Sequence, residues 1–430
     1  MAKNSFNDSL LSSTRPSNRS LLLSLPLSLT IAFVFLGSTQ SLADTHFSFG
    51  GYVKSFAVAQ SALDVDNLPE AFDDFHTQYQ SQSTLRLVSE AFTGKKIAWQ
   101  LHYEISPVFL SNNNDASPFG NSTATDAANT YRISDINGTL GSSSSSKKAA
   151  YQNLDRINVQ FNLEAGDLTI GRQAISLGSA RVINPTDVFL PFKPTTLNQE
   201  YRTGIDMIRF QKPTGDLSEM DMGIVLGTDA KTENSAAFFT FKNHWRSSDV
   251  AITAVRFAEQ NLVGIGIESS IGDMGTWFET AWVQGDENYN RTSIGADYSL
   301  STNVFGQIEY HYNGAGLSDP NRYAELAGHI GYQKGGIFLF GRHYLMPSIS
   351  WTTTPLFTLS LSSIINVDDS SAFYNVTGAY SLGNNLGVDF GAYIFTGDHL
   401  SFVPTAPNIM TNSEYGSNSN LLYVSFRFYF

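Results

Sequence analysis

The sequence predicts an all-β fold: a single transmembrane, antiparallel, up-and-down β-barrel of about eighteen strands (sixteen to eighteen), with a lumenal third loop. Three observations carry the prediction. Apolar and polar residues alternate with period two from residue 47 onward. The apolar face of these segments often ends in Trp or Tyr, as a membrane girdle does. After residue 44 no stretch approaches the roughly 18 consecutive apolar residues of a spanning helix. A backbone in lipid must satisfy its own N–H and C=O groups, so only helices and closed barrels span. Alternation selects the barrel.

Residues 1–43 read as a secretory signal peptide. Lys3, Arg15 and Arg19 form a positive region, residues 21–36 (LLLSLPLSLTIAFVFL) an apolar one, and Ser41-Leu42-Ala43 a small-x-small cleavage site before Asp44. Residues 44–430 then form one barrel, with no domain boundary. The GSSSSSKK run at 141–148 is a solvated tether in the second loop.

The strands follow in order: 46–60, 78–90, 95–106, 152–163, 167–174, 202–211, 218–227, 235–243, 249–257, 261–271, 275–284, 291–300, 303–312, 337–350, 355–365, 372–382, 386–396 and 420–430. In the third, Ile97, Trp99, Leu101 and Tyr103 alternate with Lys96, Ala98, Gln100, His102 and Glu104. Residues 321–333 would make the number odd and place the two termini on opposite sides, so they are assigned to an outer loop with a short helix. The turns EAGD, KPTGD, GDMG, TTTP and LGNN then share one end of the barrel, and the long stretches 107–151, 175–201 and 397–419 share the other.

The last strand shows why the fold is a membrane one. Leu422, Val424, Phe426, Phe428 and Phe430 form a face with no polar atom, opposite Tyr423, Ser425, Arg427 and Tyr429. Lipid covers that face. Phe428 and Phe430 resemble the carboxy-terminal aromatic signature of bacterial outer-membrane proteins, which implies delivery to the barrel-assembly machinery.

The net charge of −13 excludes nucleic acid as a partner. The absence of cysteine excludes disulfides, thiolate metal sites and a Cys nucleophile. The eight His residues show no H-x-x-x-H spacing and no G-x-S-x-G elbow occurs, so the chain is not expected to be an enzyme, and no cofactor or metal is implied. Gly264 and Gly266 form a G-x-G inside an alternating strand, where glycine relieves crowding rather than cradling phosphate.

The most distinctive stretch is GRQAISLGSARVINPTDVFLPFKPTTLNQEYRTGIDMIRF, residues 171–210. Its Pro and Phe content makes it too apolar to stand in water, so it packs against the inner wall, where an eighteen-strand barrel has room for it. Arg172, Arg181, Asp187, Glu200 and Arg202 either hold this loop by ion pairs or line a constriction. The stretch resembles an outer-membrane porin family related to the alginate-export barrels. The resemblance rests on Gly171, Arg172, Gln173, Gly178, Arg181, Pro185, Thr186, Asp187, Phe189, Pro191, Phe192, Glu200, Tyr201, Arg202, Gly204 and Asp206. HYLMPSISW (343–351) and the carboxy-terminal strands add to it. It implies a loop that narrows a pore.

Strand parity places Lys54, Arg86, Lys96, Arg156, Lys242 and Arg256 on the early lumenal wall, and Glu268, Glu279, Asp297, Glu309 and Asp389 on the later one, with Arg291 and Arg427 as exceptions. Opposed rows of charge would set up a transverse field. The expected function is a porin in the outer membrane of a Gram-negative bacterium, passing small hydrophilic, anionic or carboxylated solutes. The other expected partners are outer-membrane lipid and lipopolysaccharide; the oligomeric state stays open. The alternatives are an export channel for an anionic exopolysaccharide and, more remotely, a lipid enzyme at the rim.

Overall fold

The structure, a computed structural model, describes residues 45–69, 76–111, 131–134, 138–139, 148–189, 193–198, 200–404 and 409–430. The signal-peptide assignment and the polyserine run (141–147) lie outside them. Eighteen long strands form the wall: β1 (Thr45–Gln60), β2 (Gln78–Thr93), β3 (Ile97–Leu110), β4 (Lys148–Leu163), β5 (Gly166–Gln173), β6 (Ile205–Gly215), β7 (Ser218–Val225), β8 (Ala236–Trp245), β9 (Ser248–Phe257), β10 (Gln260–Ile271), β11 (Met274–Gln284), β12 (Tyr289–Ser301), β13 (Val304–Asn313), β14 (His343–Thr354), β15 (Phe357–Asn366), β16 (Ala372–Gly383), β17 (Leu386–Thr396) and β18 (Leu421–Tyr429).

Each strand pairs antiparallel with the next, and β1 pairs with β18 in the register Tyr52↔Tyr429 to Gln60↔Leu421. Closure leaves no sheet edge, as a bilayer demands. The seam runs to the last residue: Gly51 N–H donates to Phe430 O, and Phe430 N–H to Gly51 O, both at 3.0 Å. A Cβ on Gly51 would lie 2.1 Å from Arg86 O and 2.9 Å from the Phe430 ring, so only glycine fits there.

Alternation decides which face of each strand meets which solvent. Phe47, Trp99, Ile157, Ile252, Val263 and Leu422 point outward and are exposed, as are Phe428 and Phe430. Tyr52, Lys54, Gln82, Thr84, Arg86, Glu279 and Ser425 point inward and are buried. Trp99, Trp245 and Trp351 mark the outer surface near the end with short turns, and Trp282 near the other.

Connections are two or three residues each at one end and longer at the other, except the two-residue turn 258–259. The third loop spans 174–204, the seventh 314–342, the eighth 367–371 and the ninth 397–420. Residues 320–333 are helical turns, Pro320–Gly328 and Ile330–Gln333, in the seventh loop, as the parity argument required.

Several strand boundaries shift by up to four residues, and one by six. The alternation at 337–340 looks like the start of β14, but the strand begins at His343. Ile337 and Leu339 instead turn into the lumen and are buried in two inner clusters. The loop core covers these apolar side chains, where a wall strand would have left one face to lipid.

Candidate constriction in the barrel lumen

The third loop folds into the lumen because its apolar side chains complete the inner core. Ile175, Leu177, Val188 and Phe189 join Met207, Phe238, Phe257 and Ile337 in one cluster. Ile183 joins Leu339, Tyr344, Phe373 and Tyr393 in a second. Wall glycines make space for it: a Cβ on Gly264 would lie 2.2 Å from Thr186 Cγ2, and one on Gly266 2.5 Å from Ser179 Oγ.

Two wall carboxylates carry the loop backbone. Glu279 of β11 accepts from the N–H groups of Ser179 (2.6 Å), Ala180 (2.9 Å) and Thr186 (2.8 Å), and from Thr186 Oγ1 (2.7 Å). Glu309 of β13 accepts from three consecutive N–H groups, Arg181 (3.0 Å), Val182 (3.1 Å) and Ile183 (2.8 Å), and from Trp277 Nε1 (2.8 Å). Both carboxylates are buried, 1% and 0% exposed. A buried charge with four donors is satisfied; a buried loop backbone without acceptors is not. Gly178 has φ +96°, and a Cβ there would lie 2.5 Å from Asn184 Oδ1 and 2.7 Å from the Glu279 oxygens, so the turn onto Glu279 requires glycine.

The base of the loop is tied by buried arginines. Arg172 grips Asp206 through Nε (2.7 Å) and Nη2 (3.0 Å) and donates to Leu154 O and Ser134 O. Arg86 pairs with Glu104 (2.7 Å) and Asp155 (2.5 Å), and Arg156 with Asp155 (2.8 Å) and Arg202 O (2.5 Å). Arg202 reaches the fully buried Asp187 at 2.5 Å. Burial pushes the Asp187 carboxyl up and the Arg202 guanidinium pulls it back down. Arg132, from the second loop, donates to Gly204 O and Asn153 Oδ1.

Other lumenal charges are open to water themselves or through a partner. Arg181 is 47% exposed, with Nη2 2.8 Å from Glu268 and its guanidinium 5.5 Å from the Trp277 ring centre. Lys54 meets Glu200 (3.4 Å) and Asn198 (3.2 Å), and Tyr429 Oη donates to Glu200 at 2.6 Å. Arg427 pairs with Asp389 at 2.8 Å. Tyr201, 40% exposed, stacks on Tyr52 at 5.7 Å and lies 4.1 Å from the Arg86 guanidinium. Lys242 and Asp297 occupy inward register positions toward the turn end.

Two assignments need correction. Lys96 is the last residue of the 94–96 turn and is exposed, so it is not part of the wall. Arg256 faces outward: Phe257 and Val255 take the inward places, and Arg256 sits at the strand's loop end, bonded to Asn261 Oδ1 at 2.8 Å. The two charged rows are also not bare. Glu104, Asp155 and Asp206 neutralise the basic side, and Glu279 and Glu309 are spent on loop N–H groups. Glu104 was visible on the polar face of β3. Asp155 was not, because a bulge opposite His102 and Tyr103 puts both Asp155 and Arg156 inside.

Fold and lumen together define a closed eighteen-strand barrel with an apolar outer face and one loop strapped across its interior. Three solved structures are similar to it: a BenF-like porin from Pseudomonas fluorescens Pf-5 (TM-score 0.54, 11% identity, 91% of this chain and 100% of that one), Acinetobacter baumannii OccAB1 (TM-score 0.54, 8% identity, 92% and 98%), and Pseudomonas aeruginosa OccK7, or OpdD (TM-score 0.53, 10% identity, 90% and 99%). At these identities the likeness is one of fold and does not extend to the alginate-export relation. No protein-family model and no curated protein matches the sequence.

Proposed function

We propose that the protein is an outer-membrane channel for passive diffusion of small hydrophilic solutes, with carboxylated solutes favoured. The observation that carries this reading is the contrast inside the lumen. Arg172, Asp187 and the Arg86 network are buried and hold the loop, whereas Arg181, Lys54 and Arg427 stand beside it with part of their surface or of their partners' open to water. A cation such as Arg181 attracts a passing carboxylate, and Glu268 beside it keeps binding weak enough for release. Nothing in the fold favours polysaccharide export over this. The same reading places the short turns in the periplasm and the long loops outside, with Phe428 and Phe430 as the assembly signal.

Reversal potential under a salt gradient tests it, using refolded protein in a planar bilayer. Wild-type channels should be less cation-selective than Arg181→Ala channels, and a small carboxylate should compete with chloride. Identical selectivity in the two would remove Arg181 from the solute path.

A further inference from the structure

The ninth loop ends in a buried carboxyl group that the channel reading does not use. Glu414 is 6% exposed. Its Oε2 accepts from Tyr344 Oη of β14 at 2.5 Å and from Asn366 Nδ2 of β15 at 2.9 Å, and its Oε1 from Phe340 N of the seventh loop at 3.1 Å. One side chain therefore clamps the ninth loop to the seventh and to the rim of the wall.

A second carboxylate lies in the same cluster. Asp369 of the eighth loop accepts from Ser371 N (2.9 Å), Ser371 Oγ (2.6 Å), Glu414 N (2.8 Å) and Tyr323 Oη (3.0 Å). Asn366, Ser371 and Tyr344 are each 0% exposed. The titratable groups around Glu414 are Tyr344 of β14, Tyr323 and Tyr332 of the seventh loop, Asp369 of the eighth and Tyr415 of the ninth. Lys193 of the third loop lines the adjoining cavity of about 520 Å3.

We propose that Glu414 is a proton-operated latch, holding the seventh and ninth loops down over the barrel mouth in acid and loosening them as pH rises. The acid form fits every contact. With the proton on Oε1 and turned toward the cavity that Glu414 lines, Oε2 still accepts from Tyr344 Oη and Asn366 Nδ2, and Oε1 from Phe340 N. The ionised form adds a buried negative charge beside the half-buried Asp369 carboxyl.

Burial pushes the Glu414 carboxyl up to about 7, with Asp369 adding to the rise and Tyr344, Phe340 N and Asn366 opposing it. The sign follows. A group whose pKa is raised in the latched state stabilises that state fully below its ordinary value of 4.5, and loses the effect as pH climbs to about 7. The latched-to-released ratio should fall by roughly a hundredfold across that window.

The chain has no cysteine, which permits clean labelling. Spin labels on Arg322→Cys in the seventh loop and Ile409→Cys in the ninth, in the full-length protein in nanodiscs, report their separation whether or not the barrel conducts. The distance distribution should lengthen or broaden between pH 4.5 and 8.5, and Glu414→Gln should hold the acid distribution at both. An unchanged wild-type distance, or an undiminished pH response in Glu414→Gln, would overturn the latch. If the Gln variant does not fold, Asp369→Asn should move the midpoint to lower pH, and an unmoved midpoint would count equally against it.

Discussion

Glu309 in the wall receives the backbone N–H of Ile183 at 2.8 Å, the third of three successive loop amides that converge on one carboxylate. Ile183 itself is 1% exposed, buried against Leu339, Tyr344 and Phe373. The loop is thus fixed by backbone on one side and by an apolar side chain on the other. Its path across the lumen depends on charges that no solute need touch.

Glu309→Ala should release that path. Four donors lose a charged acceptor, each such bond contributing about 1.5–3 kcal/mol net, with lumenal water recovering part of it. The expected loss is on the order of 3 kcal/mol in loop packing with the barrel intact. Hydrogen exchange should show faster exchange at residues 179–186 and unchanged protection in β1 and β18.

Gly178→Ala should act on the same segment by a different route. At φ +96° with Glu279 oxygens 2.7 Å from the new Cβ, the loop must move, at a cost of about 2 kcal/mol. Gly272→Ala is the control: its φ is +63°, but nothing lies within 4 Å. Proteolysis of the third loop should accelerate in the first variant and stay near wild type in the second.

Arg202→Met should make loop packing strongly pH-dependent. Burial raises the Asp187 pKa, and Arg202 is the main opposing influence. Loop stability is greatest below the ordinary carboxylate range and declines as pH rises through the raised value. Without Arg202 the decline should steepen, toward the roughly 3–5 kcal/mol of a buried charge stripped of its partner. Loop proteolysis at pH 4 and pH 8 measures the difference. Equal rates in the variant would show that Asp187 does not depend on Arg202.

Deleting Phe430 should slow assembly more than it weakens the finished barrel. It removes two of the hydrogen bonds that close β18 onto β1, each worth about 1 kcal/mol. The heat-modifiable folded band should fall several-fold in membranes, while protein refolded in detergent keeps its unfolding midpoint to within a small shift.

The wall was legible because period two is a strong signal when lipid and water impose opposite demands on neighbouring residues. Parity found Glu279, Glu309 and Asp389 inside, and the turns EAGD, KPTGD, GDMG, TTTP and LGNN share one end of the barrel. Legibility failed where a residue answered to something other than the wall. Arg256 escapes at the strand end, where the membrane no longer excludes charge. Asp155 enters through a bulge. Ile337 and Leu339 alternate like a strand but are covered by loops. Three of the four partners of each of Glu279 and Glu309 are backbone amides, which leave no mark in a sequence beyond the glycines at 178, 264 and 266 that let the loop approach.

The most direct test is single-channel conductance of refolded protein in a planar bilayer, comparing wild type with the Glu279→Ala, Glu309→Ala double variant. A lumenal loop strapped by those carboxylates predicts stable open steps in the wild type, and larger, noisier steps in the variant. Equal step sizes from both proteins, or a silent bilayer from protein shown to be folded, would contradict a diffusion channel narrowed by the third loop.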